Sequence, residues 1–494
     1  MNARPPRSDP APQPRARIVA TVGPASRSPD RLAALLEAGV SVFRLNLSHG
    51  ALEEHAAVIR ALRAVAAERG RAPAVLADLQ GPKIRTGRTA NDAPVTVAAG
   101  TAIELFAGAG PCDDRHIAIS YPPLFREIRP GQALLINDGA IRLRVTECDP
   151  DRRRGRAEAL ASGVYSSRKG VNLPGARLSI SALTAKDRRD LDGLLGSGVD
   201  FVALSFVRTA ADLRPLRRRL AREKAPPALI AKIETPEAVA DIAAILEDCD
   251  GIMVARGDLG VEVEPERVPL IQKDLIAAAN RRGQTAIVAT QMLESMVQSP
   301  RPTRAEASDV ANAILDGADA VMLSAETSVG RFPVEAARMM AAIDARVAQS
   351  PLADRGPRDL RLEPHRPYHA LCEAAAWASR DLGGAPIVVF TRSGATAQYL
   401  SHLRPPAPIW AFTPEPRAER RLALAWNVRT FPIAFSARVE TLLAAADRRL
   451  LAAGLARRGA PVVVISGTSP VSGMNDSIRL RRIGGRRTSS SSSP

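Results

Sequence analysis

The sequence predicts an α/β protein: a (β/α)8 barrel carrying a small inserted β-barrel lid domain and followed by a C-terminal α/β domain. Three observations lead there. From Arg17 onward, eight short β-branched, apolar runs alternate with helical patterns, as the repeated strand-then-helix units of a parallel sheet do. After the third run, residues 88 to 170 read instead as short strand-like segments and break that rhythm. Past a polar, Pro-rich stretch from Pro351 to Pro367, a third α/β region begins.

The candidate barrel strands are Arg17 to Val22, Val40 to Leu47, Ala74 to Leu79, Asp200 to Phe206, Ala228 to Ile233, Gly251 to Ala255, Thr285 to Thr290 and Ala320 to Leu323. Helices are expected between them at Leu52 to Arg69, Pro236 to Glu247, Glu266 to Arg282 closed by Gly283, and Thr303 to Leu315 closed by Gly317, with Val334 to Ala348 after the last strand. Glycine just past the last periodic residue is a stop signal. A TIM barrel of this kind presents its active site at the C-terminal ends of the strands. In the insert, Val95 to Val97, Ala102 to Phe106, Ala133 to Ile136 and Ile141 to Val145 read as strands, with Asn137, Asp138 and Gly139 as a turn. Tethered at both ends to the rim, the insert is placed to close over the site, with Gly87 and Gly170 near its hinges. The expected division is a barrel of 15–87 and 171–349, a lid of 88–170, a linker of 350–367, a third domain of 368–484, and disordered tails at 1–14 and 485–494. Strands of the third domain are expected near Ile387 to Phe390, Ile409 to Phe412 and Val462 to Ile465.

Composition narrows the class. No apolar run reaches the ~18 to 20 residues of a membrane helix, and the N-terminus is rich in Pro and Arg rather than holding an apolar signal core. Cys112, Cys148, Cys249 and Cys372 show no paired spacing, so neither a disulfide framework nor a zinc site is expected. A cytoplasmic location follows. The net charge of +16 raises the question of nucleic acid, but arginine is spread along the whole chain and aromatic residues amount to 3%, which argues against a stacking platform. Only Lys83, Lys169, Lys186, Lys224, Lys232 and Lys273 are lysines among 68 basic residues. Where arginine is the default cation, a lysine marks chemistry that needs a compact ammonium.

The residues that close the barrel strands are unusually polar: Arg44, Asn46 and Ser48; Asp78; Lys232 and Glu234; Asp258; Thr290; Ser324 with Glu326. Carboxylates and a lysine on one barrel face suit a hard cation bound to a phosphorylated or carboxylated small molecule. In Lys232-Ile233-Glu234 the strand period of two puts ammonium and carboxylate on one side, with Ile233 toward the helices. The run Gly257-Asp258-Leu259-Gly260 permits a tight turn whose N–H groups can hold an anion, with Asp258 as a second metal ligand.

These residues carry a specific resemblance. The strings RLNLSHG (Arg44 to Gly50), DLQGPKIRTG (Asp78 to Gly87), AKIETPE (Ala231 to Glu237), MVARGDLGVE (Met253 to Glu262), ATQMLESM (Ala289 to Met296) and MLSAETSVGRFP (Met322 to Pro333) resemble pyruvate kinase, in that family's order, over about Arg17 to Ile483. The resemblance implies transfer of the phosphoryl group of phosphoenolpyruvate to ADP in glycolysis, giving pyruvate and ATP through an enolate. It implies Mg²⁺, or Mn²⁺, on Glu234 and Asp258. Lys232 neutralises the moving phosphoryl group, Arg44 forks its oxygens, and Gly257 and Asp258 offer N–H groups to the substrate carboxylate. Thr290 contacts substrate and, with Ser324, relays the proton. Asn46, Ser48, His49, Arg85 and Lys186 match nucleotide-binding positions.

A monovalent cation would lie at Asn46, Ser48, Asp78 and the Leu79 carbonyl. Here the sequence departs from K⁺-dependent members, which carry glutamate where Lys83 stands, and K⁺ is not expected to be required. The stretch Thr391 to Ala397, with Thr391, Ser393, Gly394 and Thr396, resembles the effector-phosphate loop of regulated members, so a phosphorylated effector is expected, and a homotetramer is usual in the family. Two competing readings are a Mg²⁺-dependent enolate lyase or aldolase on the same barrel and a catalytically silent regulatory homologue. Arg85 and Lys186 speak against the first, the intact Lys232, Glu234 and Asp258 against the second.

Overall fold

The computed structural model describes residues 14–176, 178–353, 367–467 and 476–485. The expected tails therefore fall outside the described residues except at Pro14 and Gly485, as does most of the expected linker.

All eight predicted barrel strands form: β1 (Arg17–Thr21), β2 (Val40–Asn46), β3 (Ala74–Asp78), β4 (Phe201–Val207), β5 (Ala228–Ile233), β6 (Gly251–Ala255), β7 (Thr285–Ala289) and β8 (Ala320–Leu323). They pair in parallel into a closed barrel, β8 returning to β1 with Arg17 opposite Ala320. The two-residue period sorts their side chains. Ile18, Phe43, Val75 and Ile233 face the helical layer, while Val19, Val42, Leu76, Ile230, Met253, Ile287 and Met322 fill the interior. Leu424, from the third domain, joins that interior cluster and so plugs the base of the barrel.

One device recurs at the lower rim. Asp200, Asp250 and Asp319 each stand one residue before β4, β6 and β8. Their carboxylates accept the N–H of Val75 on β3 at 2.9 Å, Leu229 on β5 at 2.7 Å and Ala286 on β7 at 2.9 Å. Each even strand is thereby locked in register to its odd neighbour.

The expected helix from Pro236 to Glu247 is instead two, Pro236–Ala240 and Ile242–Glu247. Asp241 leaves the helical conformation, and its carboxylate accepts the N–H of Ala210 at the start of the preceding helix, Ala210–Leu220. The helix Arg304–Asp316 forms as predicted, with Thr303 and Glu306 as a reciprocal capping box and Gly317 left-handed at φ 106.

The insert is built on a six-stranded sheet flanked by short ribbons. Its four predicted strands are present, but Arg154–Ala159 and His116–Ile119 were not expected. The first reads RGRAEA, whose alternate charged residues point to solvent and hide the apolar signal. The third domain holds a five-stranded sheet in which Val428–Pro432 and antiparallel Ser477–Arg482 join the three predicted strands.

The two glycines expected near the hinges differ. A Cβ on Gly87 would lie 2.2 Å from the Gly110 carbonyl oxygen, whereas Gly170 has no atom within 4 Å of that position. Gly87 thus serves a close backbone approach. Gly87→Ala should lower stability by ~1 to 3 kcal/mol, the usual range for overpacking. Gly170→Ala should stay within ~0.5 kcal/mol. Denaturant midpoints of the two variants check this contrast.

Candidate functional site

The polar ends of the strands meet in one connected set of charges at the upper mouth of the barrel. Lys232 is 9% exposed and Glu234 and Asp78 are buried. The Lys232 Nζ lies 2.7 Å from Ser205 Oγ, 2.8 Å from Glu234 Oε1 and 3.4 Å from Asp78 Oδ1. On the other side of Asp78, Arg44 Nε donates to Oδ2 at 2.6 Å, and Arg44 Nη1 donates to Thr21 Oγ1 at 2.9 Å. Burial alone would lower the Lys232 pKa, but the charges of Asp78 and Glu234 outweigh it and the ammonium is held more firmly than usual. Burial likewise pushes Asp78 upward, and Lys232 and Arg44 reverse it, leaving its pKa lowered.

Glu234 and Asp258 behave differently. Burial, helped by Asp258, raises the Glu234 pKa against the pull of Lys232. Burial and the charges of Asp138 and Asp78 raise that of Asp258 despite Lys232. Glu234 Oε2 accepts the N–H of Phe206 at 2.7 Å, while Oε1 accepts no aligned hydrogen bond, facing Lys232 only as an ion. Two crowded, largely buried carboxylates whose pKa values stay raised even with Lys232 beside them fit a divalent cation. Among the described residues no three His, Cys, Asp or Glu side chains gather tightly enough to hold a metal alone. A two-carboxylate site leaves coordination positions for substrate oxygens.

Three backbone distortions surround this set. Phe206 has φ 54, Thr290 φ 79 and Gln291 φ 54, left-handed values that are costly for β-branched or bulky residues and collect at functional sites. Thr290 is fixed there because Arg256 Nη2 donates to its carbonyl at 2.7 Å while Nη1 pairs with Asp309 at 2.7 Å. A Cβ on Gly257 would meet Thr290 Cγ2 at 2.6 Å, so glycine is needed at the start of the helix Arg256–Glu262. Ser324 donates its backbone N–H to Glu326 Oε2 at 2.6 Å, and Leu293 donates to Oε1 at 3.0 Å. The buried Glu326 therefore ties together the loops after β7 and β8.

Between barrel and insert runs a cleft of about 460 Å³ lined by Lys83, Arg85, Asn137, Asp138, Asp258 and Glu262, among others. Among the described residues the Lys83 ammonium has no hydrogen bond or ion pair. Its pKa is lowered by burial, then by Arg85 and Lys232, with Asp258 opposing. His49 is exposed, and burial followed by Lys83, Arg85 and Arg44 lowers its pKa. Arg85 Nη1 donates to the Arg168 carbonyl at 3.1 Å, and Lys186 donates to the Leu47 carbonyl at 2.7 Å and pairs with Asp190. Asn46 Oδ1 accepts the Ser48 N–H at 3.2 Å, and the Leu79 carbonyl accepts Ser205 Oγ at 2.7 Å.

Thr391, Ser393, Gly394 and Thr396 stand apart from this rim, in the third domain. There Thr391 Oγ1 accepts the Gly394 N–H at 3.0 Å and Ser393 Oγ the Ala395 N–H at 3.3 Å, bonds that close the loop leading into the helix Ala395–His402. Two hydroxyls that sequence reasoning passed over, Thr21 and Ser205, prove central. They stand at the ends of β1 and β4, the two strands that supplied no candidate, so a polar residue at every strand end was the available signal.

Comparison with known proteins points to one family along nearly the whole chain. A family model described as pyruvate kinase, barrel domain, matches residues 13–337, and one described as pyruvate kinase, alpha/beta domain, matches residues 369–480. Pyruvate kinase 2 of Synechocystis sp. is 46% identical over 416 residues, covering 84% of this chain and 70% of that protein. A pyruvate kinase of Agrobacterium vitis is 45% identical over 485 residues, covering 95% and 98%. The crystal structure of a pyruvate kinase from Cryptosporidium parvum superposes with a TM-score of 0.88 at 32% identity, covering 95% of this chain and 96% of that one.

The raised pKa values of Glu234 and Asp258 set a sign for pH dependence. The metal-free folded state retains protons that the unfolded chain releases near 4.5 and 3.8. The pair's contribution to stability is therefore complete below those values and is lost as pH rises through the raised ones. Thermal midpoints of the metal-free protein should fall over that range more steeply than those of Glu234→Gln. Addition of Mg²⁺ at mildly acidic pH should release protons, read with an indicator dye; no release would contradict the assignment.

Proposed function

The chain belongs to the pyruvate kinase family, and from that premise we propose how its own residues transfer the phosphoryl group of phosphoenolpyruvate to ADP to yield pyruvate and ATP. The observation that carries the reading is the unbroken run of buried charges from Arg44 through Asp78 and Lys232 to Glu234.

A divalent metal, Mg²⁺ or Mn²⁺, would be held by Glu234 and Asp258, where it supplies charge to the substrate's carboxylate and enol oxygen. Lys232 holds a full ammonium beside that position and neutralises the phosphoryl oxygens as the bond to the enol oxygen lengthens. Arg44, fixed by Asp78 and Thr21, binds the phosphoryl oxygens. The N–H groups of Gly257 and Asp258, in the first turn of their helix and without intrahelical acceptors, receive the substrate carboxylate. Thr290 contacts substrate, and its hydroxyl with that of Ser324 passes a proton to the enolate carbon through water. Asn46, Ser48, His49, Arg85 and Lys186 hold the nucleotide at the rim, with the insert closing over it. Nothing favours a lyase, an aldolase or a silent homologue.

Lys83 is the point of departure within the family. Its ammonium, unpaired among the described residues and beside Arg85 and Lys232, takes the place of a monovalent cation, so adding K⁺ to a K⁺-free assay should leave the rate essentially unchanged. Lys83→Glu should make it K⁺-dependent; many-fold activation of the parent would contradict this. The loop at Thr391, Ser393, Gly394 and Thr396 is proposed to take a phosphorylated effector, and the assembly to be a tetramer. Titration of sugar phosphates and AMP against substrate saturation, and light scattering, check these in turn.

The decisive test is a coupled assay of pyruvate formation. Lys232→Met should lower kcat by ~10² to 10³, the cost of losing one preorganised electrostatic element. KM for phosphoenolpyruvate should change much less. An unchanged kcat would remove Lys232 from the transfer step.

A further inference from the structure

The three lower-rim aspartates are held by cations of two origins. Asp250 pairs with Arg217 of the barrel's own helix at 2.9 Å. The other two are reached from the C-terminal domain. Arg420 Nε donates to Asp200 Oδ1 at 2.7 Å, while Oδ2 of the same carboxylate is shared by Arg63 at 2.7 Å and the Val75 N–H. Arg404 Nη2 lies 2.8 Å from Asp319 Oδ1 and donates to the Gly317 carbonyl at 2.7 Å, so one guanidinium grips the turn that launches β8. Arg404 also lies over the Trp426 ring at 4.7 Å. Gln398 donates to Thr285 Oγ1, at the first residue of β7, at 3.3 Å, and Leu424 plugs the barrel interior.

These contacts select particular strands. Asp319 locks β7 to β8, which end at Thr290 and Ser324. Asp200 locks β3 to β4, which carry Asp78 and Ser205 near their upper ends. A strand rises ~3.3 Å per residue, so each pin sits roughly 15 Å below a reacting end along a rigid element. We propose that Arg404 and Arg420 of the C-terminal domain are positioning residues for the transfer chemistry, Arg404 acting through Asp319 on the proton-delivering end and Arg420 acting through Asp200 on the phosphoryl-holding end. A buried ion pair is a poor source of stability against an apolar replacement. Each guanidinium does fix the position of the turn it reaches, Arg404 through Nη2 and Arg420 through Nε.

The proposal rests on the assignment of Thr290 and Ser324 to proton transfer, and two assays separate the steps. ATP formation from phosphoenolpyruvate and ADP reads phosphoryl transfer. Exchange of pyruvate methyl protons for deuterium, followed by NMR with Mg²⁺ and ATP present, reads the proton step. Arg404→Met should slow exchange roughly tenfold and ATP formation much less, since sub-ångström misplacement of reacting groups is costly. Arg420→Met should show the reverse split, and Arg404→Lys should recover most of the lost exchange. Should Arg404→Met fail to fold, Arg404→Lys and Arg420→Met carry the same comparison. Equal losses in both assays that track the folded fraction, or no loss in either, would overturn the proposal. Thr290→Val serves as reference: normal exchange in it counts against the Thr290 assignment, while lost exchange in it and none in Arg404→Met counts against the pin.

Discussion

An ammonium has been placed inside a closed barrel, and most of the upper half of the structure is arranged around that fact. Taking Lys232 out of water is unfavourable by several kcal/mol in real proteins, and leaving either member of such a pair alone typically costs ~3 to 5 kcal/mol. Asp78 and Glu234 supply the opposing charge, Ser205 Oγ accepts a hydrogen bond from it, and Arg44 balances the second oxygen of Asp78. Together the two carboxylates outweigh the cost of burial, so the ammonium stays charged. The imbalance is pushed outward to Glu234 and Asp258, the pair proposed to hold the divalent cation.

Geometry is enforced by side chains that never meet the substrate. Arg256 draws the Thr290 carbonyl into a left-handed turn, and Gly257 leaves room for the Thr290 methyl. Glu326 spends both carboxylate oxygens on backbone N–H groups of two loops. Phe206 accepts a strained φ so that its N–H reaches Glu234. Below, aspartates before alternate strands hold register, and the C-terminal domain closes the base with Leu424 and two arginines. Strain at the top is tolerated because the bottom is over-determined.

Much of this was legible in the sequence because a strand's period of two is strict. Lys232 and Glu234 had to share a face, and Ile233 had to point into the helical layer, as they do. Eight apolar runs sufficed for the barrel. What escaped has physical causes. Ser205 and Thr21 are single hydroxyls whose importance comes only from the partners that folding brings from other strands. The break at Asp241 depends on a contact with Ala210, about thirty residues away, that no local propensity contains. Strand Arg154–Ala159 is half charged because one face meets solvent. The lower-rim aspartates do repeat before alternate strands, but their meaning lies in the N–H each one meets across the sheet.

Lys232 and Asp78 act as one unit, the carboxylate keeping the ammonium charged and aimed. A double-mutant cycle on kcat/KM for phosphoenolpyruvate, with Lys232→Met, Asp78→Asn and the pair, measures that most directly. The account predicts strong coupling, the second substitution adding less than about tenfold (~1.4 kcal/mol) to the first. Losses that simply multiply would show that the two residues work independently and would contradict it.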